Sequence, residues 1–317
     1  MSVEIEAKLD KIPIIKWVVI ALKKVKLRAF EGLSLYDLME MYVIGILRGA
    51  LTYRASAISF SFFMAIFPFL LFILNLVPFV PIAEFQNDFL AFIEGLLPPR
   101  TSDFFDVIFE DIAKNRRGGL LSSVFILSIF LMANGINAIF GGFETSYHIT
   151  ITRNVVRQYF MALGVALIMS FLLLVTVVGF IYFEIYVLEA LEKEGYLSNL
   201  ELAVDIAQYV FFVFMIYIST ALLYYFGTTT GKESSFFSPG AMLTTLLIIV
   251  TTFLFGIYIE NFSQYNEIYG SIGALLILML YIWINSNVLL LGFELNASLN
   301  SLKRTKQDDT TQEFENA

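Results

Sequence analysis

The chain has 317 residues, 58% of them hydrophobic and only 15% charged, with a mean hydropathy of +0.77 and a formal net charge of -8. Soluble domains average about 25% charged residues, so lipid is the expected solvent, and the 33 Phe read as lipid-facing and packing residues. With no cysteine and His148 as the single histidine, disulfides, thiolate chemistry and a clustered zinc site are excluded, and the acidic balance argues against nucleic acid as a partner. No cofactor is implied.

The first ten residues are acidic and polar, so no cleavable signal peptide is expected. Residues 14–30 mix Trp17, Val18, Ile20 and Leu22 with Lys16, Lys23, Lys24, Lys26 and Arg28. That pattern suits a helix lying on an anionic inner leaflet, and equally a helix packed under a bundle. Ser34, with Asp37 three residues on, can cap a second helix running into the first span. Residues 1–54 are thus expected as a cytoplasmic, interfacial amphipathic segment.

Six apolar stretches are long enough to cross a hydrocarbon layer about 30 Å thick: 55–80, 120–140, 159–183, 206–226, 241–259 and 272–297. The runs Phe69-Leu70-Leu71-Phe72-Ile73-Leu74 and Leu289-Leu290-Leu291 are apolar all round, leaving no water-facing stripe. The fold class is therefore all-α: a polytopic membrane protein whose six-helix domain occupies 55–299. Pro68 lies inside span one and predicts a kink. Between spans one and two, Phe85, Phe89, Phe92, Ile93 and Leu96 recur at helical spacing before Pro98-Pro99, and Phe105, Ile108 and Ile112 share a face of a second short helix. Residues 82–118 are read as an outer amphipathic hairpin, packed on the bundle or acting as a lid. The polar tail, 300–317, lacks periodicity and is expected to be disordered.

Lys and Arg set the orientation. With the N-terminus inside, fifteen of the 20 fall on cytoplasmic segments and five on outer ones. The positive-inside rule then places both termini in the cytoplasm, while Glu189, Glu192, Glu194 and Glu201 make the outer face acidic.

An ionisable or amide side chain in hydrocarbon is costly, about 2.5 to 3.5 kcal/mol for a central Arg, Lys or Asp. On span two, Asn134, Asn137, Gly141 and Glu144 follow one another at spacings of three, four and three residues, so they share a face, which His148 extends. On span six, Asn287 and Glu294 share a face, with Asn285, Gly292 and Asn296 on a neighbouring strip. Arg48, Arg54, Glu144, Arg153, Arg157 and Glu294 all fall near the predicted cytoplasmic ends. Two readings follow: a polar vestibule open to the cytoplasm, extended inward by Asn134, Asn137, Asn285 and Asn287, or interhelical glue worth about 0.6 kcal/mol per contact. Small residues Ala55, Ser56, Ala57, Ser59 and Ser61, and Gly270, Gly273 and Ala274, permit close helix approach.

The stretch Ala55-Ser56-Ala57-Ile58-Ser59-Phe60-Ser61-Phe62-Phe63-Met64-Ala65-Ile66-Phe67-Pro68, the Ser238-Pro239-Gly240-Ala241 entry to span five, Tyr269-Gly270-Ser271-Ile272-Gly273-Ala274, Trp283 and Leu291-Gly292-Phe293-Glu294-Leu295-Asn296-Ala297 together resemble the YihY/BrkB family of bacterial inner-membrane proteins, once mislabelled ribonuclease BN. The departures are Phe60, where an aromatic hydroxyl is common, and Phe293, where Ala is usual. The resemblance implies a six-helix fold in the inner membrane and suggests transport or export.

The leading expectation is a non-enzymatic transporter or lipid-flippase-like protein for an amphiphilic or anionic solute. Arg54, Arg153 and Arg157 would attract its head group, Asn134, Asn137, Asn285 and Asn287 would supply hydrogen bonds, and Glu144 or Glu294 would couple a proton. The alternative is a scaffold or accessory subunit that docks through the hairpin and the acidic outer loops. Ribonuclease chemistry needs a metal site or an acid/base pair beside a basic groove, which this sequence does not supply. Membrane lipids are the expected surroundings, and homo-oligomerisation is left open.

Overall fold

A computed structural model describes residues 50–76, 123–146, 154–195, 199–227, 236–261 and 271–315, with positions 24, 34, 36, 89 and 92. These form an all-α bundle: α1 (Leu51–Leu76), α2 (Ser123–Glu144), α3 (Val155–Phe183), a π-helical turn (Glu184–Leu188), α4 (Glu189–Lys193), α5 (Leu200–Gly227), α6 (Pro239–Asn261) and α7 (Ser271–Glu315). Six of these, with α3 running on into α4 as one rod, are long and apolar enough to cross a membrane.

The exposed surface of the rods is itself apolar. Phe60, Phe130, Phe160, Phe171, Phe214 and Phe253 all point outward, which is stable only where the solvent is hydrocarbon. Inside, Ile58, Phe140, Phe143, Val165, Val177 and Leu290 are sealed. Because lipid tails are as apolar as these side chains, close packing rather than water exclusion holds the rods together. That favours small residues at crossings. Ala55 and Ser59 are buried, and α1 packs most extensively along α2. A Cβ on Gly135 would come within 2.9 Å of the Ala65 Cβ.

α1 runs unbroken through Pro68. The third rod starts behind an Asn154 cap, whose side chain accepts from the Val156 amide, and continues to Lys193 over 39 residues. At about 1.5 Å per residue it is roughly 58 Å long, well beyond the hydrocarbon thickness. α7 also outruns the bilayer, reaching Glu315. The tail expected to be disordered is therefore helical as far as Glu315. Lys, Arg, Gln and Glu are good helix formers, and a helix already nucleated by the span extends without a second nucleation cost.

Most of the predicted N-terminal amphipathic segment and of the 82–118 hairpin lies outside the described residues. Phe89 and Phe92 are described, and both are buried in the main core, with the Phe92 ring 5.4 Å from that of Phe180 on α3.

Candidate functional site

The helices alternate in direction, so the start of α1, the end of α2, the start of α3, the end of α5, the start of α6 and the later part of α7 meet at one end of the bundle. The polar side chains gather there. Arg54, 7% exposed, and Glu294, 2% exposed, form an ion pair of 2.5 Å between α1 and α7. The guanidinium also donates to the Gly142 carbonyl at 3.0 Å, and Ser146, just past α2, donates to the second Glu294 oxygen at 2.8 Å. The Arg54 Nε is buried with no hydrogen-bond partner among the described residues.

Glu144 is buried beside this pair. With the Gln158 amide turned to satisfy both its atoms, its nitrogen donates to Glu144 Oε2 at 2.8 Å and its oxygen accepts from the Gly141 amide at 3.3 Å. The end of α2 is thus tied to α1 and α7 by Arg54, Glu294 and Ser146, and to α3 by Glu144 and Gln158. A buried charge left unpaired would cost several kcal/mol, so these contacts also fix the rotation of each helix about its axis.

A second polar knot sits beside it. Tyr224 donates to the Leu289 carbonyl at 2.7 Å and shares a hydrogen bond of 2.6 Å with Thr244. Asn296 accepts from the Gly240 amide at 2.8 Å and donates to the Ser238 hydroxyl oxygen at 2.8 Å, satisfying one of the amides left open at the start of α6. A Cβ on Gly240 would overlap the Gly292 carbonyl, and one on Gly292 would overlap the Thr244 hydroxyl. Phe293 stacks on Phe143 at 4.1 Å, and Trp283 donates to Ser56 at 3.2 Å.

The sequence-predicted strip divides. Arg54, Glu144 and Glu294 come together. Asn285 and Asn287 are half-buried, with amide groups turned back on their own helix, to the carbonyls of Tyr281 at 3.0 Å and Trp283 at 2.7 Å. Asn285 also accepts a long bond of 3.5 Å from Thr251 on α6. Asn137 is half-buried, while Asn134 and Arg157 are exposed and take no part in the Arg54–Glu294 network. Arg48, His148 and Arg153 lie outside the described residues. Ser146 and Gln158 were missed; their only sequence signal is proximity to Glu144 and to the start of span three.

A layer of Ile58, Phe140, Phe143 and Leu290, all sealed, closes the polar end from the middle of the bundle. A Cβ on Gly142 would meet Ile58 at 2.7 Å and Leu290 at 3.5 Å. Beyond this layer lies an apolar cavity of about 200 Å³ among α1, α2, α3 and α5. Among the described residues, no group of three or more His, Cys, Asp or Glu converges as a metal site would.

Ser238, Gly240, Trp283, Gly292, Phe293 and Asn296 of the knot lie in the stretches that carry the family resemblance, and comparison with known families agrees. The family model described as Virulence factor BrkB matches residues 45–316. The chain belongs to the BrkB family. This BrkB member is also similar to a Bacillus subtilis (strain 168) protein named "Putative ribonuclease-like protein YfkH", at 27% identity over 257 residues, 81% of this chain and 92% of that protein. No solved structure matches the chain. The shared span takes in every described helix of this BrkB protein almost entire, so the multi-pass architecture and the polar end belong to the family region.

Proposed function

We propose that this protein is a non-enzymatic transporter, of lipid-flippase type, for an amphiphilic solute with an anionic head group, acting in a bacterial inner membrane with both termini cytoplasmic. The observation that carries the reading is Arg54: a cation buried in a spanning helix, closed on Glu294 and holding an Nε donor that no described residue uses. A charge buried inside a membrane bundle is expensive and calls for a functional reading. A guanidinium is suited to phosphate or carboxylate because its donors form a planar fork. In this reading Glu294 is the resident counter-ion that an incoming head group displaces. The vestibule opens when α1 and α7 part, and Glu144 and Gln158 hold the neighbouring helix ends in register.

The test is transbilayer movement of a head-group-charged fluorescent phospholipid in vesicles containing the purified protein. Movement should exceed that in protein-free vesicles and fall about tenfold in Arg54→Gln, equivalent to about 1.4 kcal/mol of lost head-group attraction. No movement of any lipid or solute, with or without a proton gradient, would remove the proposal.

A second reading, a scaffold or accessory subunit, draws support from the opposite end. There the third helical rod outruns the bilayer and presents exposed Glu192 and Glu194, and α5 begins with exposed Glu201 and Asp205. A partner that co-purifies stoichiometrically and is lost on reversing these charges, with no change in lipid movement, would favour it.

A further inference from the structure

The mid-bundle cavity is not explained by the polar end, and its lining is chemically uniform. Met132, Met169 and Met215 reach it from three different helices, and among the described residues Ser219 is the one that brings a hydroxyl. The chain has 10 Met, so three on one cavity is a concentration. Methionine is unbranched and polarizable and adapts to irregular apolar shapes. Among the described residues, no charged group lines the space.

Its position is equally specific. Phe62 and Phe69 on its wall lie eight and fifteen residues along α1 from Arg54, roughly 12 and 22 Å down the axis. The hydrocarbon midplane lies about 15 Å from either surface, so the cavity sits at mid-membrane depth. Its floor, including Met132, Ile136 and Ala166, is buried, whereas Phe62, Phe69, Met169 and Met215 on its rim are half-buried. α1 and α5 do not pack extensively on each other, so the cavity is a cleft between them, floored by α2 and α3.

A dry cavity of about 150 Å³ suffices for a benzene ring, and this one is larger. In a membrane an unfilled cleft forfeits the dispersion contacts on which helix association depends. We infer that this cleft is a binding subsite for one hydrocarbon chain of an anionic phospholipid, entered laterally between α1 and α5. The chain lies about half a bilayer below the depth of Arg54. This deepens the transport reading by naming the substrate's apolar part, and it rests on that reading only for the head group.

The test uses full-length protein in phosphatidylglycerol and phosphatidylethanolamine vesicles, doped with a phosphatidylglycerol that carries a photoactivatable diazirine at mid-chain. After illumination, adducts should concentrate on peptides holding Met132, Met169 and Met215, relative to outward-facing peptides holding Phe130, Phe171 and Phe214. Ala166→Phe, which fills the floor, and Ser219→Leu, which narrows the rim, should each cut cavity adducts about tenfold in protein that remains monodisperse in detergent. Adducts spread evenly over the outward-facing residues, or unchanged in both filled variants, would overturn the subsite. Labelling that competes away with free fatty acid but not with phospholipid would also overturn it. Cavity labelling without lipid movement would keep the subsite and remove transport; movement without cavity labelling would do the reverse.

Discussion

Gly240 of α6 and Gly292 of α7 meet backbone to backbone, so closely that a methyl group on the first would overlap the carbonyl oxygen of the second. Contact at that range is how helices without a hydrophobic drive between them gain packing energy. Gly292→Ala should therefore destabilise the protein by about 1–3 kcal/mol through overpacking against Thr244 and Tyr224. Gly164→Ala, on α3 where an added Cβ meets nothing within 4 Å, should be neutral or stabilise by up to about 1 kcal/mol. Thermal unfolding of both variants in detergent reads the opposite signs.

The Arg54–Glu294 pair should behave as a unit. Removing one charge strands the other in the bundle, so Arg54→Met or Glu294→Leu alone should cost about 3–5 kcal/mol. The double variant should cost less than either single change, because two apolar side chains of similar size can pack where the pair was. A double-mutant cycle on unfolding free energy measures the coupling, and additive losses would show that the two groups do not depend on one another.

Amides separate by environment. Asn296→Ala leaves the Gly240 amide without its acceptor and removes the donor to Ser238, and should cost about 1–3 kcal/mol. Asn134→Ala, at an exposed position, should stay within about 0.5 kcal/mol of the parent. Equal losses in the two, again by thermal unfolding, would mean that Asn134 has a partner in the membrane.

The orientation is testable because the chain has no cysteine. Glu192→Cys, at the end remote from the ion pair, should react with a membrane-impermeant maleimide in intact cells. Lys303→Cys, beyond the span of α7, should react only after permeabilisation. The reverse pattern would invert the assignment of both termini.

Much of the fold was legible because crossing a bilayer is a demand on one helix at a time. Six runs of apolar residues, read singly, gave six rods, with boundaries that shift by a few residues where Leu51, Val155 and Leu200 extend them. The polar end was legible in part. Spacing put Glu144 and Glu294 on helix faces near a common depth, but the same periodicity put Asn134 on the Glu144 face, and it is exposed. A helical face recorded in sequence does not say which neighbour it meets.

The order of residues along the chain determined the solvent, the number of crossings and the helix ends near which charge collects, since these depend on the transfer free energy of contiguous residues. Tertiary structure alone decided that Arg54 closes on a carboxylate 240 positions away, that Ser146 joins that pair while Gln158 meets Glu144, and that a Met-lined cleft remains at mid-depth. Those features follow from the rotation and crossing of four or more helices. A cavity is the shortfall where their surfaces fail to meet, and no single segment encodes that.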